Sequence, residues 1–573
     1  MTTNHIKSPW FAWLLPVELA IIVFYITPVL SITSPGFPLD DSWIYAVFAR
    51  NFISSGEIAF NLGHPSLGFT SSLWFLFLSL GRLLSLPPVV WSIFLGVVSQ
   101  VTLAVIMGLL VHRFLSSFRR DLTEGSPSGN HSPFPIPHSP ESLSLFASLL
   151  VLLCGPLIWY SLSGMETTCF MAIGLPAIYL LSRGWYRWAG LALGFLLITR
   201  IEGMALWGIA LVYAAVVEYR RKTGTVHSAL CSMPSAKRLL PIVLIPSIFL
   251  LLELLKNLCL TGALLPTTFA GRKWLSVPAG GRGPIAYLKL WGQGFKITLL
   301  PQFLQENPFL IIFWIGAGLF AIISIRLLFK VARADRRRIS GLVLLFLWII
   351  GHNLVYMVML PSPSQAGRYQ ALNFLLFWIV LYLPIAAGLV RLKLTAGGKR
   401  KALSAVLLFI LLGGIFLLDL TSTFRWKDIY LSTVRHINDV HIQIAHRIES
   451  DLPPGRRVAA FDIGALKYFS PGTEIIDLGG LVDREFAGYL LEGRVVDYMA
   501  DREADYLAMV ELQNSPGWIF ENLHILDDPR VKLKPLFGMM QRPEIYRLHY
   551  RTAAITFPKM VVYEIEWGVG SGE

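Results

Sequence analysis

Carboxylates are scarce in the first 420 residues of this 573-residue chain, where 14 Asp and Glu stand against 32 Lys and Arg, so each acid can be weighed singly. Asp121, Glu124, Glu141, Glu218 and Asp335 fall at or near basic loops, where a solvated role suffices. Glu18, Glu253 and Asp419 lie within apolar stretches or at their ends, and Lys256 is a ready partner for Glu253. That leaves Asp40, Asp41, Glu57, Glu166, Glu202 and Glu306. An ionisable side chain at membrane depth is costly and marks function by default, whereas a loop carboxylate at the water boundary does not. For Asp40-Asp41 two roles compete. Asp ahead of Trp43–Phe48 suits a helix N-cap. Set at membrane depth, the pair would instead mark a functional site. Position alone leaves both open.

The cations sort in the same way. Lys/Arg clusters at Arg119-Arg120, Arg220-Arg221-Lys222 with Lys237-Arg238, Arg333 with Arg336-Arg337-Arg338, and Lys399-Arg400-Lys401 are predicted to face the cytoplasm. Arg50, Arg200, Arg272, Lys273, Arg282 and Arg368 then fall on the opposite side, against that rule. Phospholipid headgroups are an equal reading for Arg272-Lys273, and a buried pairing with Glu166 or Glu202 for Arg200. No metal motif appears: His64, His352, His436, His441 and His446 form no ligand set, and four cysteines make neither a disulfide framework nor a zinc pattern. There is no glycine-rich phosphate loop.

The elements that must hold these residues are membrane spans. The chain is 54% hydrophobic and 15% charged, with mean hydropathy +0.59 and net charge +13. Soluble domains carry about 25% charged residues, so a soluble globule and a disordered chain are both excluded, and topology rather than nucleic acid accounts for the positive charge. Eleven spans are predicted, near 10–31, 88–114, 143–162, 169–183, 187–200, 203–218, 239–257, 308–328, 340–360, 370–390 and 403–420. The first is read as a span, not a cleaved signal peptide. A further apolar stretch, 70–86, is interrupted by Gly81, Arg82 and Pro87-Pro88; the charge rule requires it to be re-entrant or interfacial. The N-terminus is then cytoplasmic and 32–69, 258–307, 361–369 and 421–573 lie outside. The Ser/Pro-rich segment 121–142 reads as a cytoplasmic loop.

After residue 420 the composition changes, with 22 acids against 17 Lys and Arg. Helical spacing over 428–449 and short β-like runs at Val458–Phe461, Glu474–Leu478 and Tyr506–Val510 predict an α/β domain of about 150 residues.

The stretch DDSWIYAVFARNFISSGEIAFNLGHPSLGFTSSLW (40–74) carries Asp40-Asp41, Tyr45, Ala49-Arg50-Asn51, Gly56, Phe60-Asn61, Gly63, Gly68, Thr70-Ser71 and Trp74. Ser163-Gly164-Met165-Glu166-Thr167, Thr199-Arg200 with Glu202-Gly203, Pro266-Thr267-Thr268-Phe269 and Gly367-Arg368-Tyr369 follow in order. In these elements residues 1–420 resemble the GT-C membrane glycosyltransferases, particularly the arabinofuranosyltransferase-like branch.

The resemblance implies a polytopic α-helical GT-C-like domain over 1–420, with the Asp pair on external loop 32–69, followed by the extracytoplasmic α/β domain 421–573. It implies transfer of a monosaccharide from a polyprenyl-phosphate donor to a glycan, glycolipid or protein acceptor, with inversion, at the outer face of a plasma or inner membrane. Asp40 or Asp41 would be the general base, the resemblance favouring Asp40. Arg50, Arg200, Arg272, Lys273 and Arg368 are candidates to hold the donor phosphate, Arg368 foremost. Glu166 would hold an acceptor hydroxyl or a divalent cation, or simply cap the next helix; a cofactor stays unassigned. Tyr45, Asn61, Thr70 and Trp74 would contact substrate, although Trp43, Tyr45, Phe69 and Trp74 equally suit interfacial anchoring. Two other readings stand beside this one: a transporter of lipid-linked saccharide, and a non-catalytic relative that regulates through its tail.

Overall fold

The structure is a computed structural model that describes residues 12–123, 139–222, 235–268, 285, 288–289, 292, 315–316, 318–327, 336–359, 364–394, 399–512, 523–540 and 558–568. Its helices are α1 Leu14–Ile32, α2 Asp41–Ser55, α3 Ser72–Leu83, α4 Pro88–Thr123, α5 Pro140–Leu152, α6 Gly155–Leu162, α7 Thr167–Arg183, α8 Tyr186–Thr199, α9 Met204–Lys222 and α10 Ser235–Thr261. Then come α11 Gly318–Leu327, α12 Arg336–Met359, α13 Leu372–Leu394, α14 Lys399–His436 and α15 Gln443–Asp451. The chain is a multi-pass membrane protein.

Among the described residues seven helices are long and apolar enough to cross a bilayer, or eight if the bent pair α5–α6 is one span. Eleven were expected from hydropathy. The difference has local causes. The predicted spans 169–183 and 187–200 form α7 and α8, of 17 and 14 residues, below the roughly 20 a bilayer needs. Of the predicted span 308–328, the described residues include α11, Gly318–Leu327, too short to cross by itself, and residues 308–314 lie outside the described residues. The predicted span 143–162 breaks after Leu152 and bends by 57°, because Pro156 in the first turn of α6 cannot donate to a continuing α5. The interrupted stretch 70–86 forms α3, 12 residues long, too short to cross.

Helix ends sort by charge. The basic clusters lie at the C-terminal ends of α4 and α9 and the N-terminal ends of α10, α12 and α14. Glu166 precedes α7, Arg200 follows α8, and Arg368 lies in the 3-10 segment Gln365–Gln370 that follows α12.

Residue 420 falls inside α14, which continues through a π-helical segment, Ile437–Ile442, into α15. Strands β1 Arg457–Ala460, β2 Glu474–Asp477 and β3 Tyr506–Leu512 match the predicted runs. Strands β4 Val531–Met540 and β5 Pro558–Trp567 complete a five-stranded sheet of order β2-β1-β3-β5-β4. β1 is parallel to β2 and β3, whereas β5 is antiparallel to β3 and β4. Helix α16 Gly464–Phe469 links β1 to β2, and α17 Phe486–Leu491 with α18 Val495–Asp501 link β2 to β3.

The period-2 alternation of a strand divides this sheet between two cores. Ala459, Ile476, Leu507 and Met509 pack with Phe486, Tyr498 and Met499 of the domain's own helices. Val458, Ala460, Ile475, Ala508 and Val562 belong to the core that runs on into the membrane helices. The sheet domain therefore buries one face against the rest of the protein.

Candidate active site

Loop 33–71 is built around α2. Gly56, in the left-handed conformation, ends that helix, and Ser71 caps α3 by accepting Trp74 N at 3.2 Å. Asp40 holds the N-cap position of α2, yet its side chain does not cap α2. It reaches instead across to the sheet domain. One carboxylate oxygen accepts Gly464 N at 2.7 Å and the other Ala465 N at 2.8 Å, at the start of α16. A Cβ at residue 464 would stand 2.2 Å from Asp40 O, so only glycine permits the approach. At the far end of the same helix, Arg50 donates to Tyr468 O at 2.8 Å and to Lys467 O at 3.4 Å. An acid on the N-terminus of α16 and a base on its C-terminal carbonyls both complement the helix dipole. Burial pushes the Asp40 carboxyl up to about 6, Asp462 adding to this and His441 and the two backbone N–H groups opposing it.

Asp41 points elsewhere. Its carboxylate pairs with Arg368, whose Nε donates to Ser364 Oγ at 2.9 Å. Arg368 is buried, and its Nη1 has no hydrogen-bond partner among the described residues. The backbone that presents it is constrained: Ser364, Ala366 and Gly367 have φ of 59°, 55° and 73°. Left-handed conformations at non-glycine residues cost about 1–3 kcal/mol each and persist only where the surroundings hold them. Tyr160 supplies one hold by donating to Ala366 O at 2.5 Å.

Arg200 and Glu166 lie in the same region. Arg200 Nη1 is 3.6 Å from Glu166 and Nε 3.7 Å from Glu202, all largely buried. Glu166 does not use its side chain as a cap at the start of α7; Tyr45 OH donates to it at 3.2 Å and itself accepts Ser71 N at 3.2 Å. Arg200 donates to Tyr356 OH at 2.7 Å, and Tyr356 donates to Glu202. The ring of Tyr369 joins the two halves: Arg200 and Arg368 lie 5.4 Å and 5.5 Å from its centroid, and Tyr356 stacks on it at 5.1 Å. His352 Nε2 donates to Tyr369 O at 3.2 Å.

Of the residues singled out from sequence, Asp41, Tyr45, Glu166, Arg200 and Arg368 thus form one cluster. Asp40 lies beside it with its carboxylate spent on α16. Arg50, Asn61 and Trp74 do not join it. Asn61 donates to Ile475 O at 2.8 Å and accepts Ile475 N, covering the edge strand β2. Trp74 Nε1 donates to Gly164 O at 2.8 Å and is fully packed. The Thr70 hydroxyl is buried without a partner among the described residues. Arg272 and Lys273 lie outside the described residues. Sequence reasoning missed Tyr356, which no spacing distinguishes from a packing aromatic, and Tyr369, whose signal was its place beside Arg368. It also left Lys256 as a mere partner of Glu253. That ammonium, 2.7 Å from Glu253, donates as well to Ser72 at the start of α3 and lies 5.3 Å from the Phe69 ring. Among the described residues no group of three or more His, Cys, Asp or Glu is placed to hold a metal ion.

Chemically, the cluster offers an ionisable carboxylate, Asp41, held by one nitrogen of a guanidinium whose other terminal nitrogen is unpartnered among the described residues. Such a pair can accept a proton and bind an oxyanion side by side, since guanidinium presents donors in a fixed fork.

No curated protein matches the chain in sequence. One family matches residues 430–563 and is described as a domain of unknown function (DUF8728); that span covers α15, α16 and most of the sheet. Among solved structures, the chain is similar to ArnT from Cupriavidus metallidurans bound to undecaprenyl phosphate, with TM-score 0.49, 13% identity and coverage of 97% of this chain and 98% of that one. It is similar also to the apo state of the same protein, with TM-score 0.46, 13% identity and the same coverage.

Proposed function

We propose that this protein is a GT-C-type membrane glycosyltransferase that moves a monosaccharide from a polyprenyl-phosphate donor to a saccharide-bearing acceptor on the non-cytoplasmic face. The observation that carries the reading is convergence. Residues from four separated sequence elements, Asp41, Glu166, Arg200 and Arg368, gather into one buried polar cluster whose helix ends are opposite the basic ones. By the positive-inside rule that end is extracytoplasmic. Nucleotide sugars do not reach that side, so the donor is lipid-borne.

In this reading Asp41 takes the proton from the acceptor hydroxyl as its oxygen attacks the anomeric carbon. The bond from that carbon to the phosphate oxygen breaks, with inversion, and the freed phosphate is met by the Nη1 of Arg368. Fixed positive charge placed where negative charge accumulates is the largest single source of such catalysis. Glu166, ordered by Tyr45 and Arg200, holds the acceptor. Asp40 acts through position: by fixing α16 it sets the start of α2, and so the direction of Asp41.

The test is incubation of the purified protein with a panel of polyprenyl-phosphate sugars and mass analysis of the products. Asp41→Asn, whose amide oxygen keeps an acceptor for Arg368, is expected to lower transfer by about 10²–10⁴, the usual worth of a general base, while the protein still folds. Full transfer by Asp41→Asn would remove the assignment.

A further inference from the structure

Away from the Asp41 cluster, the protein has a polar cavity. It lies between loop 33–71 and the α16–β2 turn, with a volume of about 340 Å³, and Arg50 and Lys467 both line it. Asp41 and Arg50 are nine residues apart on α2, about 13 Å along the helix, so this cavity is distinct from the Asp41 cluster.

Neither cation has a carboxylate within 4 Å among the described residues. Lys467 is 6% exposed. Its ammonium donates to Pro471 O at 3.2 Å and Thr473 O at 2.6 Å, which leaves one of its three donors for the cavity. Arg50 spends three donors, on Asn51 Oδ1, Tyr468 O and Lys467 O, and keeps two of five. The acids nearby are engaged or set back. Glu474 also lines the cavity, with its carboxylate held by Arg457 at 3.1 Å, and Glu449 lies behind Gly472, where a Cβ would stand 3.1 Å from its Oε1. Burial and the Arg50 charge together push Lys467 down to about 8, against the pull of Glu474 and Glu449. A buried charge is usually met by an opposite one; among the described residues these two cations donate only to main-chain and amide oxygens, so a negative group in the cavity would complement them.

We propose that this cavity binds one anionic sugar residue, a uronate or a sugar phosphate, its acid group between Arg50 and Lys467. Its volume is at the small end of ligand pockets, about 300–1,000 Å³, enough for a monosaccharide unit. Hydroxyl-bearing Ser54 and Thr473 line the wall, with His64 exposed beside them. That the bound residue is part of the acceptor rests on the transferase reading; the binding does not.

The test is calorimetry on the full chain in detergent, titrated with glucuronate, glucose 6-phosphate, glucose and inorganic phosphate at matched ionic strength. Glucuronate or glucose 6-phosphate should bind at least ten-fold more tightly than glucose and than inorganic phosphate. Ser54→Trp, which fills the cavity from an exposed position on α2, should weaken binding at least ten-fold without moving the melting temperature. His64→Glu, which adds a negative charge beside the cations, should weaken it as well. No binding of either anionic sugar overturns the site, and binding untouched by both variants overturns its location. Inorganic phosphate binding equally well overturns the sugar class. Were the sugars to bind while no lipid-linked donor is ever consumed, the site would stand and the transferase reading would fall.

Discussion

Asp40 and Gly464 stand 424 positions apart in the chain, and the carboxylate of the first accepts the backbone N–H of the second at 2.7 Å. The residue next to Asp40 faces Arg368. Two adjacent carboxylates, alike in sequence, thus divide their work: one ties the loop to the sheet domain and one faces the polar cluster.

This division predicts a thermodynamic cycle. Asp40→Ala removes both acceptors at the start of α16, and losses of this kind cost about 0.5–2 kcal/mol. Gly464→Ala should act through the same contact, since its Cβ would collide with Asp40 O. Melting curves of the two single variants and the double one should show strong non-additivity, as expected for residues in direct contact. Additive losses would mean that the two residues stabilise the protein separately. Transfer should fall alike in both single variants, and less than in Asp41→Asn.

Arg368→Lys tests the fork. A lysine reaching Asp41 presents a point charge and has no second nitrogen fixed at the Nη1 position. Hydrogen bonds to charged groups are worth about 1.5–3 kcal/mol, so the affinity for a polyprenyl-phosphate sugar should drop about 10–100-fold, read by titration at low donor concentration. Undiminished affinity would show that the phosphate is held elsewhere, Lys256 being the next cation to examine.

The convergence of Asp41, Glu166, Arg200 and Arg368 was legible because each sits in a short polar motif at the end of an apolar run. Hydropathy marks such ends. The strands β1, β2 and β3 were legible as short β-branched and apolar runs between turn residues. The partner of Asp40 was not: a carboxylate capping a helix and one poised as a base look identical in sequence, and what separates them is a backbone 424 residues away. The partners of Asn61 and Arg50 were hidden for the same reason, since both bond to main-chain groups of the sheet domain, and main-chain groups leave no residue signature. β4 was missed although its burial alternates; Lys532, Lys534 and Pro535 dilute its apolar content on an edge that faces outward.

Arg200 stands between two largely buried acids, so its removal should be costly in stability as well as in activity. Arg200→Met leaves Glu166 and Glu202 without a guanidinium, and breaking a buried ion pair from one side costs about 3–5 kcal/mol. Combining it with Glu166→Gln and Glu202→Gln removes the stranded charges and should recover most of the lost melting temperature, but not transfer. A triple variant no more stable than Arg200→Met would mean that Arg200 contributes mainly through its packing on Phe170 and Tyr369.

The sheet domain and its seam should grow more stable on mild acidification. Burial pushes both Asp40 and Asp477 up to about 6. Around Asp40, Asp462 adds to the rise while His441, Ala465 N and Gly464 N oppose it; around Asp477, the backbone N–H groups of Val482, Gly479 and Asp483 oppose it and the Asp483 charge adds. An unfolded Asp titrates near 3.9. Between about pH 4 and 6 the folded protein therefore holds more protons than the unfolded chain, and stability falls as pH rises through that window, then levels. Asp497 and Asp528, which their arginine partners hold below the usual carboxylate range, lose their contribution only at lower pH and do not oppose the trend. The contribution of these two carboxyls to the melting temperature should accordingly rise between pH 7.5 and pH 5. Asp40→Asn combined with Asp477→Asn should flatten that rise, because neither side chain then titrates. A rise of undiminished size in the double variant would assign the protons to other groups and remove the pH link between the seam and the fold.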